Sequence, residues 1–245
     1  MNTEEEIGIS LGWRCQAAAI GAQLELRKKR IDGYKTCPFD IMVSNYSGMC
    51  KCIEDDFKYF CDPEYLVLKQ EPQHVGNYFR GQTRDQMWIY NTYYNFTFNH
   101  ESPGHGKIYL NENWPGGINH YVNNNFEKFI ERYTERINNF RNYLKNYKNI
   151  NFLLLRYNGI PYELIDILKN KYPETNFKIY VAVNLPDERH VTIRGTFDEL
   201  IHFEREYLTY LNITDQEFPE EHARYTGPFK DYSNFKNDYI QILNI

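Results

Sequence analysis

The sequence predicts an α/β fold: one domain over residues 1–245, with a mixed or mostly parallel sheet flanked by helices on both faces. Three observations carry this. A short apolar strand, 7–11, runs directly into a helix-forming segment. An amphipathic helix over 122–147 leads into a continuous apolar strand at 151–156, the pattern of a strand buried on both faces. A helix opened by Pro161 then leads to another strand, 177–183, and strand–helix–strand at this spacing is a parallel crossover.

The elements follow in order. Residues 7–15 read Ile-Gly-Ile-Ser-Leu-Gly-Trp-Arg-Cys, a strand that breaks at Gly12 and is placed centrally in the sheet. The run Gln16 to Lys29, with Ala17, Ala18, Ala19, Ile20, Leu24 and Leu26, predicts a helix ending near Arg30, and Asp32-Gly33 signals a turn. In the loop Thr36-Cys37-Pro38-Phe39-Asp40, Pro38 fixes the backbone. The apolar Phe39 and Ile41 hold Asp40 against the core, either as a site residue or as the N-cap of the segment from Ile41.

Residues 88–100 alternate as one extended strand, with Trp88, Tyr90, Thr92, Tyr94, Phe96, Phe98 and His100 on one face and Glu101 turned the other way. In the helix over 122–147, Phe126, Phe129, Ile130, Tyr133, Ile137, Phe140, Leu144 and Tyr147 form a core stripe. The helix from Pro161 turns Leu164, Ile167 and Leu168 inward. A further helix is expected over Phe197 to Leu211. The segment 219–245, rich in Tyr, Pro and Asp, is expected to wrap the domain and end in a short helix near Tyr239.

Composition excludes several classes. The formal net charge is -5 with no basic block, so nucleic-acid binding has no electrostatic footprint. No apolar run approaches the roughly 20 residues that span a bilayer, and Met1 to Glu6 is polar and acidic, unlike a signal peptide. A soluble, cytoplasmic protein is expected, in the host cytoplasm if the source is viral. The count of five cysteines is odd, which fits reduced thiols. Cys50, Cys52 and Cys61 with His74 lack metal-ligand spacing, and no metal is expected.

The chemistry-bearing residues converge on one place. Cys15 follows the first strand where the next helix starts, and the orphan N–H groups and dipole of a helix N-terminus stabilise a thiolate. The carboxyl ends of the strands of an open α/β sheet carry the ligand crevice, which makes Cys15 the candidate nucleophile. His100 ends its aromatic row and is the candidate base; His105 and His120 are the next imidazoles.

Ile-Ser-Leu-Gly-Trp-Arg-Cys-Gln at 9–16, Cys-Pro-Phe-Asp at 37–40, Asn-His-Glu at 99–101, a helix with Arg136 and Phe140, and a strand ending in Arg156 together resemble the putative papain-like cysteine peptidases of bacteria and large DNA viruses. The resemblance covers most of 7–184 and admits an α+β papain-like arrangement as the alternative fold. It implies Cys15 and His100 as the catalytic pair and matches Asp40 to the family's Pro-Phe-Asp aspartate. Relatives tend to carry His-Asp where this chain has His100-Glu101, so the residue that orients the imidazole is Asp40 or Glu101. Trp13, Arg14, Gln16, Glu101 and Arg156 are the expected substrate-binding residues.

A looser similarity extends to thiol-dependent acetyltransferases of polysaccharide biosynthesis that open on Gly-Asn-Cys-Gln; here the residues are Gly12-Trp13-Arg14-Cys15-Gln16. That reading implies coenzyme A and a sugar acceptor, whereas the peptidase reading needs no cofactor. Both are acyl transfer through a thiol, to a small-molecule, sugar or peptide partner. The rival is a non-catalytic carbohydrate or peptide module using Trp88, Tyr90 and Tyr94. A nucleotide-sugar enzyme lacks its Gly-rich loop and Asp-x-Asp motif. The sequence leaves the oligomeric state open.

Overall fold

The computed structural model describes residues 6–12, 17–18, 21–22, 25–70, 87–104, 114–155, 161–182 and 240–244. Its strands are β1 (Glu6–Ser10), β2 (Leu66–Gln70), β3 (Met87–Asn91), β4 (Phe96–Phe98), β5 (Asn149–Leu155), β6 (Asn176–Ala182) and β7 (Ile240–Asn244). Its helices are α1 (Tyr46–Glu54), α2 (Asn123–Asn146) and α3 (Tyr162–Lys171), besides a first helical segment that includes residues 17–18 and 21–22. The strands form two sheets, ordered β1-β5-β6-β7 and β2-β3-β4. In the first, β1, β5 and β6 run parallel and β7 antiparallel, which is the mixed, mostly parallel sheet the sequence predicts. The second is antiparallel throughout.

Alternation along the parallel strands assigns the two faces. Ile7, Ile9, Ile150, Phe152, Leu154, Phe177, Ile179 and Val181 face one hydrophobic core shared with the antiparallel sheet and all three helices. Phe140 of α2 stacks on Phe152 of β5, and Leu164 and Leu168 of α3 are fully buried. The opposite face is covered by the first helical segment: Gly21 lies against Leu153, and the Leu26 carbonyl crosses directly over Gly8. Helices therefore do cover both faces.

Four expectations are corrected. β1 is an edge strand among the described residues, not a central one. Its apolar run is explained by burial of its two faces, which needs no second neighbouring strand. The first helix closes at Glu25 rather than near Arg30. Glu25 adopts a left-handed φ of 58°, while its N–H bonds Ala22 O and that of Leu26 bonds Gly21 O, a Schellman closure.

The expected strand 88–100 is a hairpin, β3 and β4, turning through Thr92 to Asn95 with Asn95 at φ 58°. Ile89 pairs with Phe98 and Tyr90 with Thr97, so Phe96 and Phe98 share a face with Ile89 and not with Trp88 and Tyr90. Tyr94 lies in the turn, stacked on Phe96 in the core, so Trp88, Tyr90 and Tyr94 do not form one row. Finally, the chain ends in a strand, β7, where a short helix near Tyr239 is expected. The expected helix 197–211 and the wrapping segment 219–239 lie outside the described residues.

A Cβ at position 8 would sit 1.7 Å from Leu26 O, a backbone atom. Gly8→Ala is expected to force the first helical segment off β1 and to lower stability by about 3 kcal/mol, measured as a shift in the urea midpoint at unchanged slope.

Candidate functional site

The site is built outward from Phe39. Its ring is fully buried and meets Phe57, Phe60, Phe96 and Phe140 at centroid distances of 5.9 to 6.5 Å. It anchors a single 3-10 turn, Pro38–Ile41, that places Asp40 beneath the surface at 1% exposure. Asp40 is neither an N-cap nor loosely held. It is the third residue of that turn, and its Oδ2 accepts from the Cys37 N–H at 2.7 Å, closing a capping box. Oδ1 accepts from Arg27 Nη1 at 2.8 Å and from the Tyr34 hydroxyl at 3.5 Å. Ile41, expected to flank Asp40 symmetrically, is only half-buried, so Phe39 does the anchoring.

Burial pushes the Asp40 carboxyl above its ordinary range, opposed by Arg27, the Cys37 N–H, Tyr34 and Arg136. Burial likewise works against the Arg27 charge, but Asp40, Tyr34 and Cys37 together outweigh it and leave the guanidinium's pKa raised. The Arg27 guanidinium also lies 4.0 Å over the Tyr34 ring. Arg27 and Tyr34 are site residues that the sequence does not announce; they come from a post-helix bend and a loop without motif.

The turn carrying Asp40 packs on β1. A Cβ at Gly12, whose φ is 90°, would meet Ser44 Oγ at 2.2 Å and Phe39 Cβ at 3.5 Å. Trp13, Arg14, Cys15 and Gln16 lie outside the described residues, as does Arg156. The carboxyl ends of β1 and β5 adjoin, through the Leu11 N–H to Leu153 O bond of 2.9 Å. β1 and β5 thus end side by side at one sheet edge, the place where open α/β sheets bind ligands.

His100 is 8% exposed and lies not on a strand but in a 3-10 turn, Asn99–Glu101, after β4. The turn is fixed by Ser102, whose Oγ donates to Phe98 O at 2.5 Å and accepts from the Ile89 N–H at 2.8 Å. An antiparallel bridge, Val43 to Thr97, ties this hairpin to the Asp40 segment by bonds of 2.8 and 2.9 Å. Asp40 precedes Val43 by three residues and His100 follows Thr97 by three, so the bridge ties together the segments that lead to the two turns.

Glu101 does not take the opposite face of a continued strand, as parity predicts, because the strand stops at Phe98 and Glu101 lies in the turn that follows. Fully buried, it accepts from Tyr133 Oη at 3.0 Å and pairs with Arg136 at 3.0 Å and Arg132 at 3.1 Å, all from α2. Arg136 had a legible signal, since it falls inside the apolar stripe between Tyr133 and Ile137. Arg132 had none.

Of the cysteines, Cys37, Cys50, Cys52 and Cys61 are free. Burial raises all four thiols: Cys50 and Cys61 up to about 12, Cys37 and Cys52 well above the ordinary value. Among the described residues no group of three or more His, Cys, Asp or Glu side chains could hold a metal ion, and no helix is long and apolar enough to cross a membrane.

A mixed, mostly parallel sheet packed beside a buried aspartate turn and a histidine turn defines an α/β protein. The chain belongs to the family described as "Putative papain-like cysteine peptidase (DUF1796)", whose model matches residues 7–183. Neither a curated protein nor a solved structure matches it.

Removing one partner of a buried pair leaves the other charge uncompensated, so Asp40→Ala is expected to cost about 3–5 kcal/mol in urea unfolding. The thiols give a pH dependence. An unfolded chain ionises its thiols from the ordinary value of 9.0 upward, while the folded chain keeps the Cys50 and Cys61 protons to about 12. Across that window the folded state binds more protons, so stability falls as pH rises. The urea midpoint of a double variant, Cys50→Ala with Cys61→Ala, should decline less steeply over the same range.

Proposed function

We propose that the chain is a cysteine-dependent acyl-transfer enzyme of the peptidase or thiol-hydrolase type. Cys15 attacks a carbonyl as the thiolate, forming a thioester and expelling the leaving group. His100 takes the thiol proton and delivers it to that leaving group, and water or a substrate hydroxyl then resolves the acyl-enzyme. Backbone N–H groups around Arg14 to Gln16 hold the oxyanion, with Trp13, Arg14, Gln16 and Arg156 receiving the substrate.

Asp40 is assigned to orient the imidazole. The Val43–Thr97 bridge, three residues from each, supports this by tying their two turns together, and three donors occupy the carboxylate's two oxygens, which offer about four lone-pair sites. Glu101 is directed instead to α2.

The observation that carries the reading is the state of the other thiols: burial raises Cys37, Cys50, Cys52 and Cys61 above the ordinary value, which weighs against each of them and favours Cys15, within the matched 7–183, as the nucleophile. Iodoacetamide near neutral pH, read by mass spectrometry of the folded protein, should label Cys15 first. Labelling of Cys50 or Cys61 ahead of an inert Cys15 would remove the assignment.

A further inference from the structure

Residues 30–36 and one face of α2 enclose a polar cleft. One end, about 640 Å³, is lined by Arg30, Tyr34, Lys35, Arg132, Glu135 and Arg136. Lys35 and Asn139 connect it to a second cavity of about 550 Å³, lined further by Asn142, Tyr143, Asn146 and Tyr147. The helix positions recur every three or four residues from 132 to 147, so a single face of α2 builds the wall over about 22 Å. Each cavity has the size of a small-molecule site. The wall formed by 30–36 is pinned in place: the Lys35 N–H donates to the Tyr143 hydroxyl at 2.6 Å, and the Asn139 amide donates to Thr36 O at 3.1 Å.

The two ends differ in chemistry. At the first, Arg30 and Lys35 are exposed, while Arg132 and Arg136 share one buried carboxylate, Glu101; Glu135 is the one acid among the lining residues. Four cations against these two carboxylates leave an excess of two positive charges, on a chain whose net charge is -5. Arg136 is held rigid by Glu101 and by the Tyr133 ring 4.5 Å away, which preorganises its planar fork for an oxyanion. Apart from the shared Lys35, the second end is lined by uncharged residues. It offers the exposed amides of Asn142 and Asn146 beside the Tyr143 and Tyr147 rings, 5.6 Å apart, a combination that suits hydroxyl groups on a ring with apolar faces.

We propose that this cleft binds a phosphorylated saccharide, with the phosphate dianion among Arg30, Lys35 and Arg136 and the sugar ring toward Asn142, Asn146 and Tyr147. The inference is independent of the thiol assignment, since it concerns binding without turnover. Isothermal titration calorimetry at low salt tests it with glucose 6-phosphate, N-acetylglucosamine 6-phosphate, mannose 6-phosphate, glucose, inorganic phosphate and adenosine 5′-monophosphate. At least one sugar phosphate should bind about tenfold or more tightly than phosphate or glucose alone, because both ends then contribute.

The exposed-site double variant Arg30→Gln with Lys35→Gln should weaken that binding by about tenfold. Asn142→Ala with Asn146→Ala should weaken the sugar phosphate and leave inorganic phosphate unchanged. Cys15→Ser should bind as the native chain does, which separates this site from the proposed nucleophile. The proposal is overturned by absence of binding for all three sugar phosphates at millimolar concentration. It is equally overturned if inorganic phosphate binds as tightly as they do, or if the nucleotide binds more tightly.

Discussion

The adjacency of Phe39 and Asp40 is the constraint on which this structure turns. A fully buried phenylalanine in contact with four other aromatic rings cannot move without repacking the core, and the next residue is a carboxylate at 1% exposure. Burying that charge is costly unless it is paired, and the pairing recruits Arg27 from beyond the first helix, Tyr34 from the loop and the Cys37 N–H from its own turn. The segment that crosses β1 at Gly8 is thereby tied to the turn that packs against Gly12. The middle of β1 and the residue just past its carboxyl end are held together through one buried carboxylate.

A second buried carboxylate repeats the device on α2. Glu101 leaves the hairpin and is met by Arg132, Tyr133 and Arg136, side chains from one turn of helix. The long helix thus does more than supply apolar surface. Its Phe129, Tyr133 and Phe140 build the core beside Phe98 and Phe152, while the arginines on its flank fix the turn that carries His100. Arg136 also lowers the Asp40 pKa, so the two carboxylate centres are electrostatically joined through one guanidinium.

Much of this was legible in the sequence because it rests on periodicity. The core stripe of α2, the doubly buried β5 and the crossover through α3 to β6 each follow from apolar spacing over enough residues to separate helix from strand. Alternation failed at 88–100, where seven residues of one parity are compatible with a straight strand. A left-handed Asn95 folds them into a hairpin, and Asn tolerates that conformation without announcing it. Of the candidate site, Asp40 was legible as held against the core, because Pro38 and Phe39 fix its backbone and burial. Its partners were not, since Arg27 and Tyr34 approach from segments whose path depends on a helix closing at Glu25 instead of near Arg30.

The same electrostatics bear on the state of the buried thiols. Cys37 shows what burial does even next to a cation: its thiol stays well above the ordinary value, because desolvation and Asp40 together exceed the pull of Arg27 and Arg136. Proximity to arginine alone therefore does not make a thiolate in this fold. A reactive cysteine needs donors aimed at sulfur without the accompanying carboxylate, and a loop leaving a parallel strand for a helix N-terminus provides N–H groups of that kind. Cys50 and Cys52 instead sit within α1, and Cys37 faces its own aspartate. The state of each described thiol thus rests on how far burial and a neighbouring carboxylate outweigh the donors it can meet.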